Sequence, residues 1–123
     1  MSVTAEHVRK VFERYCELVT AGDCDGIASL YAEDATVEDP VGSAPHRGRD
    51  AIREFYRASA GAVRLELEGR VRSAANEGAA AMIARPAADP SVRVETLDVM
   101  TFREDGLVTS MRAYWSPDTI HRD

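Results

Sequence analysis

The chain has 123 residues, 45% hydrophobic and 29% charged, with 15 Lys and Arg against 21 Asp and Glu for a net charge of −6. That length predicts a single domain spanning 1–123 with one core, and the acidic balance argues against nucleic acid or an anionic membrane as partner, since either would repel the protein's field. Cys16 and Cys24, the only cysteines, are too few for a disulfide framework and lack CxxC spacing.

The opening residues Met1-Ser2-Val3-Thr4-Ala5-Glu6-His7 have no basic n-region and no apolar h-region, so no signal peptide is expected. No apolar run approaches the ~20 residues of a membrane span, and a cytoplasmic protein is the expectation. Val8, Val11, Phe12, Tyr15, Leu18 and Val19 recur at helical spacing. Thr4 suits the N-cap and Gly22 the C-terminal stop. Asp23 then caps a short second helix carrying Ile27, Leu30 and Tyr31. Residues 35–39 read as a strand closed by Pro40, and a turn-rich stretch through Gly42, Pro45 and Gly48 leads to a third helix with Ile52, Phe55, Tyr56 and Ser59 on one side.

After Gly61 the period changes to two: Val63, Leu65 and Leu67 alternate with Arg64, Glu66 and Glu68. Further strands are predicted at 70–75, 79–85, 91–102 and 107–115, with turns at Asn76-Glu77-Gly78 and Asp105-Gly106 and a looser connection from Pro86 to Pro90. Helices first and hairpin-linked strands after predict an α+β fold. Its form is a cone-shaped, curved, antiparallel-rich sheet with three N-terminal helices packed on the concave face. The apolar interior suits a small hydrophobic ligand.

Several polar side chains stand where the pattern demands apolar ones. Tyr15 lies within the first helix's apolar stripe, so its hydroxyl needs an interior partner. Tyr31 and Tyr56 hold matching positions on the next two helices; any one of them alone fits a core role, and three together fit a hydroxyl network. On the strand at 91–102, Val92, Val94, Thr96, Asp98, Met100 and Phe102 share one parity, opposite to Arg93 and Glu95. Asp98 is therefore expected to face the interior, either paired with a cation such as Arg112 or held neutral by desolvation. Asp39 ends its strand before Pro40, which supplies no backbone N–H. That arrangement fits an Asp-Pro turn or a carboxylate base at the edge of an apolar cavity. His7, His46 and His121 lie far apart without HxH or HExxH spacing, and no Gly-rich phosphate loop is present.

The segments around Tyr15 (Arg-Tyr-Cys-Glu-Leu-Val), from Tyr31 through Val37-Glu38-Asp39-Pro40-Val41-Gly42, from Gly48 to Tyr56, from Leu97 to Gly106 and from Ser110 to Trp115 resemble the bacterial ketosteroid isomerases, within the nuclear transport factor 2-like superfamily. The resemblance runs from about Val8 to Ser116. It implies that Asp39 is the general base moving a proton from C4 to C6 of a Δ5-3-ketosteroid, and that Tyr15 and a protonated Asp98 donate to the C3 oxygen. It implies that Tyr56 backs Tyr15, that Tyr31 continues the chain, and that Trp115 and Met111 line the pocket. It further implies a steroid substrate, a homodimer, and no cofactor or metal. The sequence departs from the family at Met82-Ile83-Ala84, which lacks an aromatic, and in a shortened Pro86–Pro90 connection; both bear on pocket volume. Cyclases, dehydratases, epoxide hydrolases and non-catalytic carriers share the scaffold. A carrier has no reason to bury Asp39 and Asp98 beside Tyr15. On the strand at 91–102, Leu97 and Val99 are apolar on the otherwise charged parity, which predicts a covered outer face.

Overall fold

A computed structural model of the chain describes residues 3–123; Met1 and Ser2, which begin the opening segment read above, lie outside the described residues. Helix α1 (Ala5–Ala21) buries Val8, Val11, Phe12, Tyr15, Cys16, Leu18 and Val19 along one side. It starts where the Thr4 hydroxyl accepts the His7 N–H at 3.0 Å. It stops where Gly22 turns left-handed at φ 77, placing its N–H against the Leu18 and Val19 carbonyls. Helix α2 (Cys24–Ser29) is capped by Asp23, which accepts the Gly26 N–H at 2.9 Å.

Tyr31 is a strand residue and not the helical residue predicted from its spacing. It opens β1 (Tyr31–Glu38). The Leu30 carbonyl accepts the Val108 N–H at 2.9 Å, so the backbone enters the sheet there and the helix cannot continue. The first half of β1 escapes a periodicity reading because Glu33 and Asp34 are exposed where the register with its neighbour shifts. A two-residue strand, β2 (His46–Arg47), pairs with Thr36 and Val37 and leads into α3 (Arg49–Ser59), which buries Ile52 and Tyr56.

The sheet continues with β3 (Val63–Leu67), β4 (Arg72–Ala74), β5 (Glu77–Pro86), β6 (Val92–Phe102) and β7 (Val108–Tyr114); after a short 3-10 turn, β8 (Ile120–Arg122) adds to β6. The strand order is β2-β1-β7-β6-β5-β3, with β4 on β5; among the named strands of the described residues, β1–β7 is the parallel pairing and the others are antiparallel. The fold is thus α+β with three helices against a mixed, open, curved sheet. The turn between β4 and β5 is Ala75-Asn76, and Gly78 belongs to β5 rather than to the predicted turn. A Cβ at Gly78 would collide with Val8 Cγ1 and come within 3.0 Å of Phe12 Cε2, so its bare backbone lets α1 close on the sheet. Phe12, Ile27, Ile52, Met82, Met100 and Met111 fill the core between helices and sheet.

Candidate active site

Beside this core lies a cavity of about 350 Å³, at the lower end of the roughly 300–1,000 Å³ of small-molecule sites. Its walls include Val19, Phe55, Val63, Leu65, Val94 and Ala113, and its polar members include Tyr15, Asp39, Tyr56, Thr96, Asp98 and Trp115. Helices α1 and α3 contribute the two tyrosines, β6 contributes Thr96 and Asp98, and the ends of β1 and β7 bring Asp39 and Trp115 together. The pleat explains β6: Val94, Thr96 and Asp98 alternate inward, and all three line the cavity.

The tyrosine hydroxyls form a chain. Tyr15 and Tyr56 hydroxyls are 2.8 Å apart, and those of Tyr31 and Tyr56 are 3.2 Å apart. Tyr31 reaches this chain from β1, from inside the core and not from the cavity wall. Burial is the main cause that pushes all three hydroxyls above the ordinary tyrosine range, and for Tyr15 the charges of Tyr31, Asp98 and Asp39 add to it. Each therefore keeps its proton at neutral pH.

Asp98 is only 3% exposed. Its cross-strand neighbours are Ala80 and Ala113, which offer no side-chain partner. Arg112, the cation considered in the sequence, points outward: it pairs with Glu38 at 3.1 Å and lies over the Tyr114 ring. Asp98 has no salt-bridge partner among the described residues. It accepts one hydrogen bond, from the Thr96 hydroxyl at 3.0 Å. Desolvation first, and the charge of Asp39 second, push its carboxyl up to about 7, against the lowering effect of Thr96.

Asp39 precedes a cis Pro40 and accepts the Trp115 indole N–H on Oδ1 at 2.7 Å. Burial raises its carboxyl above the usual range, while the Trp115 bond and then His46 pull it down. Sequence reasoning missed this bond, although a tryptophan indole offers one donor that a partly apolar site leaves seeking an acceptor. It also missed the Thr96 bond, whose signal is the i, i+2 spacing on one strand face. Met111 is fully buried in the core, two residues from Ala113, and does not line the cavity as the resemblance implied.

The histidines stay apart. His7 Nε2 lies 2.8 Å from the Gly106 carbonyl, His46 stacks on Phe55 at 4.4 Å between centroids, and His121 bonds Glu95 at 2.7 Å. Among the described residues no three His, Cys, Asp or Glu side chains cluster as metal ligands do. None of the described helices is long and apolar enough to cross a membrane.

Residues 12–111 match the family of the SnoaL-like domain, which is most of the chain. The chain belongs to the SnoaL-like family. This SnoaL-like protein is 49% identical over 112 residues to a steroid Delta-isomerase of Nocardioides simplex, covering 89% of this chain and 90% of that one. It is 39% identical over 121 residues to the epoxide hydrolase LasB of Streptomyces lasalocidi, covering 90% of this chain but only 42% of that longer protein. Its backbone is similar to the solved structure of SalBIII, an epoxide hydrolase/cyclase-like enzyme of pyran ring formation in the polyether salinomycin. The TM-score is 0.85 at 32% identity, covering 97% of this chain and 98% of that one. The nuclear transport factor 2-like fold expected from the sequence is therefore the fold observed.

Proposed function

We propose that this SnoaL-like protein is a steroid Δ-isomerase, converting Δ5-3-ketosteroids to conjugated Δ4-3-ketosteroids by intramolecular proton transfer through a dienolate. One observation carries the reading: two carboxyls with no salt-bridge partner among the described residues and a tyrosine tied into a hydroxyl chain line a single apolar cavity. The 49% identical steroid isomerase supports the substrate class.

In this reading Asp39, ionised and accepting from Trp115, removes a proton from C4. The C–H electrons form the C3–C4 double bond, and the carbonyl electrons move onto the C3 oxygen. Tyr15 and neutral Asp98 donate to that oxygen as its charge develops. Donors fixed in a dry cavity stabilise such charge without having to reorganise. Tyr15 can donate to substrate only if it accepts from Tyr56, and Tyr56 in turn accepts from Tyr31, so the chain is directed toward the enolate. Asp39 then returns its proton to C6 as the enolate electrons move back, and the enzyme ends as it began. The apolar walls hold the steroid skeleton. The outer face of β6 and β7, where Leu97 and Tyr114 are exposed, fits the interface of a homodimer.

A second reading is favoured by the same pair of carboxyls and by the likeness to an epoxide hydrolase and to an epoxide hydrolase/cyclase-like enzyme. Asp98 as acid on the epoxide oxygen and Asp39 as base on the attacking oxygen make a hydrolase or cyclase. Growth of conjugated-enone absorbance on addition of a 5-ene-3-ketosteroid establishes the isomerase. No absorbance change, together with ring opening of an apolar epoxide, replaces it with the second reading.

A further inference from the structure

We infer that Thr96 is a positioning residue of this site: its hydroxyl holds Asp98 Oδ1 as the accepting oxygen and leaves the Asp98 proton on Oδ2, free to be donated into the cavity. The inference rests on the isomerase reading for its consequence in catalysis, and on geometry for its substance.

A neutral carboxylic acid has a single O–H, and only one of its oxygens can carry it. Were Asp98 to donate to Thr96, that proton would be spent inside the strand and Asp98 could not act on a substrate oxygen. The surroundings favour the other direction. Thr96 Oγ1 lies 3.0 Å from Oδ1, and Asp98 is its only hydrogen-bond partner among the described residues. Donating to Asp98 satisfies the Thr96 hydrogen and leaves the Asp98 hydrogen for the substrate. The reverse arrangement leaves the Thr96 hydrogen without a protein acceptor in a largely apolar cavity.

No other side chain among the described residues hydrogen-bonds the Asp98 carboxyl. Across the sheet Asp98 faces Ala80 on β5 and Ala113 on β7. The titratable groups facing it from other elements are Tyr15 and Cys16 on α1, Tyr31 on β1, and Asp39 beyond the end of β1. None of these hydrogen-bonds it. Thr96 and Asp98 both line the cavity, so the pair is a two-link relay ending at the ligand. As negative charge builds on a bound oxygen, Asp98 shares part of it, and the Thr96 hydroxyl stabilises that share.

The test compares wild type with Thr96→Val, which preserves shape and removes the hydroxyl, and Thr96→Ser, which restores it. The Asp98 carboxyl carbon is followed by NMR across pH in each protein without ligand. Loss of the donor raises the Asp98 midpoint by about half a pH unit or more in the Val variant, and Ser returns it. With a 5-ene-3-ketosteroid, kcat of Thr96→Val falls roughly 3- to 10-fold, the scale of one hydrogen bond, with KM little changed. A Val variant whose Asp98 midpoint equals that of wild type, or a Ser variant that behaves as Val, overturns the inference. A raised midpoint in a protein inactive on steroid keeps the Thr96–Asp98 link and rejects the isomerase reading alone.

Discussion

At the scale of single residues, the site is governed by which protons are held and which are free. Asp39→Asn keeps the side-chain shape and removes the base. Turnover is expected to fall by at least roughly 10²-fold, the lower range for a positioned acid–base group, with steroid binding retained. A rate near wild type would place the base elsewhere. Asp98 gives a stability prediction with a definite sign. Its pKa is raised from 3.8 to about 7 on folding. Below 3.8 both states hold the proton and ionisation contributes nothing. Between 3.8 and 7 the unfolded chain releases a proton that the native state keeps, so stability declines as pH rises. Above 7 the full penalty, on the order of 4 kcal/mol, is in place and the curve flattens. Asp98→Asn stays neutral and can still accept from Thr96, so its stability relative to wild type should rise from pH 4 to pH 7. Paired urea unfolding curves across that window decide it. An Asn variant that loses ground as pH rises would make Asp98 an ionised, charge-paired group.

At the scale of elements, the approach of α1 to β5 decides whether the cavity keeps its walls. That approach depends on Gly78, which lies within a strand and under Val8 and Phe12. A methyl group there has no space, and both neighbours belong to the fully buried core. Gly78→Ala should destabilise the protein by roughly 1–3 kcal/mol, as overpacking does. Because Tyr15 rides on the same helix, activity should fall along with the thermal midpoint. An Ala variant as stable as wild type would show that α1 can shift without cost. Elsewhere the elements follow local chemistry: the Thr4 and Asp23 caps, the left-handed Gly22 and the Asp105-Gly106 turn each stand where residue type predicts.

At the scale of the whole molecule, the sheet presents one face to the helices and the other outward. Leu97 and Tyr114 sit opposite one another on β6 and β7 and are 43% and 42% exposed. Ile120 of β8, also 43% exposed, pairs with Val94 and so belongs to the opposite face. Apolar groups grouped on an otherwise charged face mark a surface that associates. Light scattering at micromolar concentration should therefore give twice the 13.5 kDa chain mass, and Leu97→Glu should return it toward the monomer. A wild-type monomer at that concentration counts against the dimer.

What the sequence determined by itself was carried by periodicity and residue chemistry within single elements. The stripe on α1, the alternation on β6 and the inward parity of Asp98 are legible because neighbouring residues on one element fix which side each faces. The resemblance added functional assignments to Tyr15, Tyr31, Asp39, Tyr56 and Asp98, already singled out from the residues, and brought in Met111 and Trp115, which were not. Only the tertiary structure decided the rest, because it depends on partners distant in the chain. Tyr31 became a strand residue because β7 takes the backbone where α2 would have continued. Arg112 turned away from Asp98 because Glu38, 74 residues distant, accepts it on the outer face. Trp115 reached Asp39 across 76 residues, and Met111 went to the core while Ala113 reached the cavity. Parity gives a side chain its direction; only the packed sheet gives it a neighbour.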